Sequence, residues 1–278
     1  MSAAASLSDT VTQHQRARGE LAIDMRRRGP ATALAHLYQQ GCLKARFPNP
    51  AGWTEAVLLN SSGGIAGGDR MQTRLHLHPG AAASFVGQAA ERVYRALPTD
   101  APAQVRTHLA VDAGAAAEWL PQETILFDRC ALDRQLEIDI APDGRFLGVE
   151  CLVFGRAAMG EQVRTARLRD TIRIRQAGRL TLHDAIRIDG PVTDTLSHRA
   201  VANGARCTAT LVHVAPDATT RLDALRTAWI GAEAGASAWN GMLVGRIVAQ
   251  DGACLRRLVV AGLNTLRDGR PLPRVWTC

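Results

Sequence analysis

The chain has 278 residues, of which 46% are hydrophobic, so it can bury a sizeable core as one large domain or as an elongated β protein. Its net charge of +7 comes almost entirely from arginine, and a basic chain can attract nucleic acid or an acidic partner protein. Aromatic residues make up only 4%, which disfavours a nucleic-acid reader that stacks bases, and no apolar run approaches the ~20 residues of a membrane span.

The first 20 residues are polar and rich in small side chains, without the charged-then-apolar pattern of a secretory signal. We therefore expect residues 1–20 to be flexible, residues 21–278 to form a single β-rich domain, and the protein to be cytoplasmic. The six cysteines contain no Cys-x-x-Cys pair, which argues against a structural zinc site and a thioredoxin motif. Reduced and mostly buried thiols are the expectation.

Two strand-like stretches open the ordered part of the chain, at residues 21–25 and 32–38. Residues 41–53 contain the sequence Phe-Pro-Asn-Pro and are typical of a loop. An apolar run at residues 56–59 follows, and it leads into a glycine-rich segment at residues 60–70.

The glycine-rich segment places Gly63, Gly64, Gly67 and Gly68 directly before Asp69. Glycine adopts backbone angles that are closed to other residues, so a tight, shaped loop is expected here. A P-loop would need a lysine and a serine or threonine after the glycines, and a dinucleotide fingerprint would need a helix there. Because neither pattern is present, a structural turn between two strands is the simplest interpretation.

A strand-turn-strand unit then recurs along the chain. Its turn glycines are Gly80, Gly114, Gly144 and Gly178, which lie 34, 30 and 34 residues apart. Apolar and polar residues alternate beside these turns, as they do in half-buried strands. The near-constant period predicts stacked β-sheet layers, a β-helix-like or solenoid body in which no layer buries its apolar face alone. A plain meander with evenly spaced hairpins is the alternative.

The period of the pattern changes after residue 214. Apolar residues recur at helical spacing behind a candidate N-cap, which predicts a helix at about 217–232. Residues 241–249 are typical of one more strand. A second amphipathic pattern predicts a helix at about 253–267, ended by Gly269 with a proline beyond it. The sequence thus predicts a mainly β protein with two α-helices near its C-terminus.

Composition and spacing give no catalytic set, since neither Gly-x-Ser-x-Gly nor His-Glu-x-x-His is present. His76 and His78 lie two apart on a predicted strand, hence on one face, where they could bind a metal with a third ligand. Histidines on a polar face are also common without a metal. Carboxylates near the turns are hard oxygen ligands suited to weak, transient handling of a divalent ion. These carboxylates are Asp69, Glu91, Glu118, Glu123, Glu150 and Glu161.

Residues 60–70 resemble the Pro-Pro-Gly-Gly-(apolar)-(small)-Gly-Gly-Asp signature of the urease accessory protein UreD family, called UreH in some organisms. The sequence Trp-Leu-Pro-Gln-Glu at residues 119–123 follows in that family's order, as do segments that end at Arg95 and Glu161. Two places depart from the family pattern. Asn-Ser-Ser precedes the glycines where prolines are usual, and residues 89–92 replace a stretch that often holds threonine and lysine.

The resemblance implies a body of stacked, helix-like sheet layers with two C-terminal helices. It implies a non-enzymatic accessory protein that binds the urease apoprotein, UreF and the GTPase UreG, and helps to deliver nickel through an internal passage. The helical end would contact UreF, nickel would be handled transiently, and no cofactor would be tightly bound. The acid of the signature is the first candidate for a passage-lining carboxylate. The candidates, in order, are Asp69, Glu161, Glu123 and Glu91, while His76 and His78 are candidates from the residues alone.

Two other functional classes are considered beside this one. The glycine loop at residues 63–69 could serve an anion- or nucleotide-binding β-rich enzyme, and the basic charge could serve a nucleic-acid-binding β scaffold. The combined motifs favour the accessory protein over both. We therefore expect no catalysis, no nucleic-acid partner and no membrane partner.

Overall fold

The computed structural model describes residues 15–48, 53–156 and 159–277. Of the N-terminal segment expected to be flexible, residues 1–14 lie outside the described residues, and the first strand begins at Arg18. Most of the described chain is β-strand, which confirms the mainly β fold class. No helix among the described residues is long and apolar enough to cross a membrane.

The described residues form seventeen strands. They are β1 (Arg18–Arg28), β2 (Ala31–Gly41), β3 (Leu43–Arg46), β4 (Thr54–Asn60), β5 (Arg70–Leu77), β6 (Ala82–Gly87), β7 (Glu91–Val93), β8 (Ala103–Val111), β9 (Ala116–Leu120), β10 (Thr124–Leu126), β11 (Ala131–Ile140), β12 (Arg145–Phe154), β13 (Thr165–Gln176), β14 (Arg179–Pro191), β15 (Cys207–Val214), β16 (Ala234–Trp239) and β17 (Met242–Ala249). The described α-helices are α1 (Val192–Ser197), α2 (Leu222–Ala228) and α3 (Gly252–Leu266).

Two large sheets face each other. Sheet A has the strand order β14-β13-β11-β8-β5-β1-β2, and sheet B has the order β16-β17-β15-β12-β9-β6-β4-β3, with β10 and β7 pairing beside β12. The central strands of both sheets run parallel, and antiparallel pairs form the ends. Parallel neighbours require the chain to cross between sheets, so successive turns of the chain stack as layers.

The layers stack in register. Leu75 on β5 pairs with Leu109 on β8, which pairs with Ile138 on β11, which pairs with Ile174 on β13. All four side chains are at most 1% exposed and point between the sheets, where they meet aromatic residues of sheet B such as Phe85. This in-register burial confirms the predicted stack of layers and excludes the plain meander.

Three of the predicted turn glycines, Gly80, Gly114 and Gly144, lie where the chain passes from sheet A to sheet B, and Gly178 lies in the hairpin between β13 and β14 of sheet A. Gly80, Gly114 and Gly178 have φ angles of +68°, +64° and +75°, which L side chains adopt only with strain. Neighbouring turns are hydrogen-bonded to one another, since the N–H of Gly80 donates to the carbonyl of Ala113 at 3.0 Å. The spacing of the turn glycines in the sequence is therefore the number of residues from one layer of the fold to the next.

Helices α2 and α3 cover the outer face of sheet B, whereas α1 packs against β13 and β14 of sheet A. Asp251 accepts a hydrogen bond from the N–H of Cys254 at 2.8 Å and so caps α3, whose apolar stripe packs on that face. The helix predicted at 253–267 is confirmed. The helix predicted at 217–232 is a 3-10 turn at Ala218–Arg221 followed by α2, which ends at Ala228, ahead of the positive φ of Gly231.

Three short elements depart from the sequence prediction. Part of the predicted loop 41–53 is strand β3. This segment is a strand because it pairs with β4, and it ends before Pro48. Strand β16 pairs with β17 at the end of sheet B, and the six-residue helix α1 follows Pro191. Each is fixed by pairing or packing with distant residues rather than by a local pattern. The described cysteines are free thiols, and Cys254 alone among them is not buried.

The stacked core makes a stability prediction. Replacing Leu109 by alanine should lower the free energy of unfolding by about 2–5 kcal/mol, because the cavity would lie between two ordered layers. Gln104→Ala is the matched control, since Gln104 is exposed on the same strand and its loss should cost less than about 0.5 kcal/mol. Urea unfolding followed by circular dichroism measures both, and equal losses would contradict the buried ladder.

Candidate functional site

The glycine loop joins β4 to β5 and packs against β7. The N–H of Ile65 donates to the carbonyl of Arg92, and the N–H of Tyr94 donates to the carbonyl of Ile65, both at 2.7 Å. Gly64 has a φ of +145°, and a Cβ there would overlap the Tyr94 ring. Glycine is therefore required by the close approach of this ring as well as by the backbone angle.

Asp69 closes the loop from inside. Its Oδ1 accepts a hydrogen bond from the N–H of Ala17 at 2.8 Å, and its Oδ2 accepts one from the N–H of Ala66 at 2.7 Å. The residue is 5% exposed. Both carboxylate oxygens therefore hold backbone segments together, and Asp69 does not line the cavity described below.

The loop does not have the form of a phosphate cradle. Strand β5, rather than a helix, follows it. The N–H groups of Ile65, Ala66 and Asp69 already donate hydrogen bonds to acceptors within the protein. Such a cradle needs free N–H groups that converge on an anion. The geometry therefore gives no support to the anion- or nucleotide-binding alternative.

A cavity of about 300 Å³, partly open to solvent, lies between the two sheets beside the glycine loop. Its walls are mostly apolar, and they include Phe85 and Leu136 from facing sheets. Polar groups interrupt these walls. They are Asn60, Thr73, Gln88, Glu91, Arg92, Thr107, Gln122, Thr124, Arg134, Gln135 and Glu150. A largely apolar cleft with some inward polar groups is the usual form of a site that holds or passes a small ligand.

Two of the sequence-predicted carboxylates, Glu91 and Glu150, line this cavity. The side-chain amide of Asn60 lies 3.2 Å from each carboxylate oxygen of Glu91. Burial raises the pKa of Glu91, and the hydrogen bond from Asn60 opposes that rise. Asn60 thus places a hydrogen-bond donor on the carboxylate of Glu91 at the cavity wall.

A buried charge cluster forms another part of the cavity wall. Arg134 donates to both oxygens of Asp170 at 2.9 and 2.6 Å, and its Nη1 lies 2.6 Å from Oε2 of Glu150. Trp119 donates to the other oxygen of Glu150 at 2.7 Å. These three charged side chains are 7–11% exposed. Burial, which disfavours charge, raises the pKa of Glu150, while the two carboxylates raise that of Arg134 against the effect of burial.

The sequence Trp-Leu-Pro-Gln-Glu connects the cavity to the C-terminal helix. Gln122, which lines the cavity, accepts a hydrogen bond from Arg256 of α3 at 2.8 Å. Glu123 accepts another from Arg256 at 3.1 Å. Glu123 is thus a partner of α3, and it does not line the cavity.

A second buried ion pair fixes the end of α3 to sheet B. Glu118 is 1% exposed, and each of its carboxylate oxygens accepts a hydrogen bond from Arg267 at 3.0 Å. Burial acts to raise the pKa of Glu118, but Arg267 and Arg270 outweigh it and the pKa lies below its usual value. Glu161, the remaining predicted carboxylate, pairs with Arg156 at 2.8 Å in another loop and lies outside the cavity wall.

The two histidine candidates lie on the outer face of sheet A. His76 Nε2 is 2.9 Å from Oδ2 of Asp112, and His78 Nδ1 is 3.9 Å from the same oxygen. The three residues are each 35–38% exposed. The structure thus supplies the third ligand that the sequence left unspecified, and it separates this cluster from the cavity.

Sequence reasoning missed the charge cluster, although a signal was present. Arg134 alternates in phase with Leu136 and Ile138, and Asp170 alternates in phase with Ile172. A charged residue in phase with inward apolar residues must be buried, and a buried charge needs a partner. The alternation does not specify which layers are neighbours in the stack, so it cannot identify the residue that pairs with each buried charge.

Comparisons with known proteins agree on one family. The profile of the UreD urease accessory protein matches residues 17–277. A urease accessory protein UreD of Methylobacterium sp. (strain 4-46) is 46% identical over 257 residues, 89% of this chain and 90% of that protein. Those of Sinorhizobium medicae and Rhizobium rhizogenes are 44% and 41% identical over 269 and 266 residues, which cover 95% of this chain and 96% and 97% of those proteins.

The charge cluster makes a second stability prediction. Arg134→Met leaves two buried carboxylates without their cation and should lower the free energy of unfolding by about 3–5 kcal/mol. Arg106→Met is the matched control, because the ion pair of Arg106 with Asp133 is about one-third exposed and contributes about 1 kcal/mol or less. Urea unfolding near pH 7 compares them. Adding Asp170→Asn to Arg134→Met should restore part of the loss, and a purely additive loss would contradict the coupling.

Glu91 makes a prediction about pH. A raised pKa in the folded state means that stability falls as pH rises through that pKa, because the ionised carboxylate is disfavoured by burial. Glu91→Gln should therefore raise the melting temperature near pH 7, and the gain should shrink as pH falls and vanish below about pH 4, where the carboxyl is protonated in the folded and the unfolded state alike. Glu20→Gln, at an exposed position of β1, is the control without such a gain. A gain that is the same at both pH values would exclude this origin.

Proposed function

The chain belongs to the UreD family of urease accessory proteins, and we propose that it acts without catalysis, as a chaperone that helps to insert nickel into the urease apoprotein. It works in the cytoplasm in a complex with UreF, UreG and the apoprotein. Nickel is its cargo and is held only transiently, and no cofactor is tightly bound. The names of its relatives support the urease role, and the family resemblance suggests these partners.

The cavity is the observation that carries the nickel part of this proposal. It lies between the two sheets, and Glu91, Glu150, Thr73 and Thr107 all line it. No histidine or cysteine lies among the described residues of its wall. Oxygen ligands alone bind nickel less tightly than imidazole or thiolate ligands do. A wall of this composition suits passage of the ion better than storage.

The C-terminal helices and their neighbouring sheet edge offer a surface for a protein partner. Ile230, directly after α2, is 81% exposed, and Trp239 on the edge strand β16 is 38% exposed. Large exposed apolar side chains are enriched where proteins meet. This position supports the proposal that the helical end contacts UreF.

A nickel-loading experiment tests the proposal. A host that carries urease genes but lacks this gene should make urease protein with little nickel, and the wild-type gene should restore loading. Thr107→Phe narrows the cavity at a residue in register with Thr73 and Leu136, so it should lower the nickel content of urease several-fold while still co-purifying with it.

Gln104→Phe adds the same ring at an exposed position of the same strand and should load urease normally. A melting curve for each variant separates blocked passage from the overpacking cost of about 1–3 kcal/mol. Fully loaded urease in the deletion host would refute the accessory role. Full loading with Thr107→Phe, when the deletion host is deficient, would refute only the route through the cavity.

A further inference from the structure

We propose that His76, His78 and Asp112 form a binding site for a divalent transition-metal ion on the outer face of sheet A. Two imidazole nitrogens and one carboxylate oxygen converge there within 4.8 Å of one another. None of the three residues lines the cavity between the sheets. The inference therefore goes beyond the proposed function and does not depend on it.

The backbone brings the three ligands together. His76 ends the outward row of β5, and the N–H of His78 donates to the carbonyl of Met25 at 2.9 Å. The N–H of Asp112 donates to the carbonyl of Leu77 at 3.0 Å, which sets it beside both histidines in the next layer. The main chain at both sides of the site is thus held by ladder hydrogen bonds, and only side-chain rotation is needed to bind an ion.

The distances fit one ion. Metal–nitrogen and metal–oxygen bonds of about 2.0–2.2 Å place adjacent ligand atoms about 3 Å apart and opposite ones about 4 Å apart. The observed separations from Asp112 Oδ2 are 2.9 Å to His76 Nε2 and 3.9 Å to His78 Nδ1. An ion between these atoms would replace the hydrogen bond from His76 without a backbone shift.

The donor set defines the class of ion. Imidazole suits nickel, copper and zinc, whereas magnesium, calcium and manganese prefer oxygen ligands. Three protein ligands at a partly exposed position leave the remaining coordination positions to water. The site should accordingly bind nickel or zinc, exchange it readily, and ignore magnesium.

A neighbouring pair provides an internal comparison. His108 Nε2 lies 2.7 Å from Oδ2 of Asp139 on the same face, one layer further along. That pair offers two ligand atoms, and it is not part of any described group of three. Two ligands without a third should bind an ion much more weakly, so His108 and Asp139 serve as the control pair.

The test is equilibrium dialysis of the untagged full-length chain against nickel chloride, with magnesium chloride as competitor. The His76→Ala, His78→Ala double variant should bind one fewer nickel ion per chain, or bind it more than about tenfold more weakly. Asp112→Asn, which conserves size, should weaken binding in the same direction. The His108→Ala, Asp139→Asn double variant should bind like the wild type.

Copper(II) used as a spectroscopic probe gives an independent readout. Nitrogen hyperfine structure from two imidazoles should appear in the electron paramagnetic resonance spectrum of the first equivalent and disappear in the His76, His78 double variant. Circular dichroism confirms that each variant is folded. Equal nickel stoichiometry and affinity in the wild type, the double variant and Asp112→Asn would show that the three residues form a surface ion pair only, and would overturn the proposal.

Discussion

In-register stacking of parallel layers is the constraint on which the structure depends. Each layer buries its inward residues only because the next layer presents residues of the same kind at the same height, as Leu75, Leu109 and Ile138 do. A slip of one residue would turn every inward side chain outwards. The register therefore fixes the core, and it also fixes which polar residues face the interior.

The interior polar residues follow from that constraint. Arg134, Glu150 and Asp170 occupy inward positions of three different strands, and stacking brings them within hydrogen-bond distance of one another. A charge cluster of this kind is a poor source of stability compared with apolar packing. Thr107 and Glu91 add further polar atoms where apolar ones would pack better. The layers thus give up some core packing to keep a polar-lined space.

The fold could be predicted further than the site could. Turn glycines at a regular period gave the layers, and helical spacing gave α3, because both are local patterns. The strand β3 could not be recognised, because its pairing partner and not its own residues makes it a strand. Among the predicted ligands, Asp69, Glu123 and Glu161 hold the protein together through backbone or arginine partners. For two of them the neighbouring residues gave no sign of this, since Ala17 lies 52 positions from Asp69 and Arg256 lies 133 positions from Glu123.

The contact between Gln122 and Arg256 has a consequence for how the two ends of the molecule communicate. One side chain belongs at once to the cavity wall and to the surface helix α3. A docking protein that tilts α3 would therefore disturb the hydrogen bond from Arg256 and change the position of Gln122 in the cavity wall. If docking of a protein on α3 changes the affinity of the cavity for an ion by some factor, thermodynamic reciprocity requires that the bound ion change the affinity for that protein by the same factor. The Gln122 amide would then couple ligand binding in the cavity to protein binding at α3.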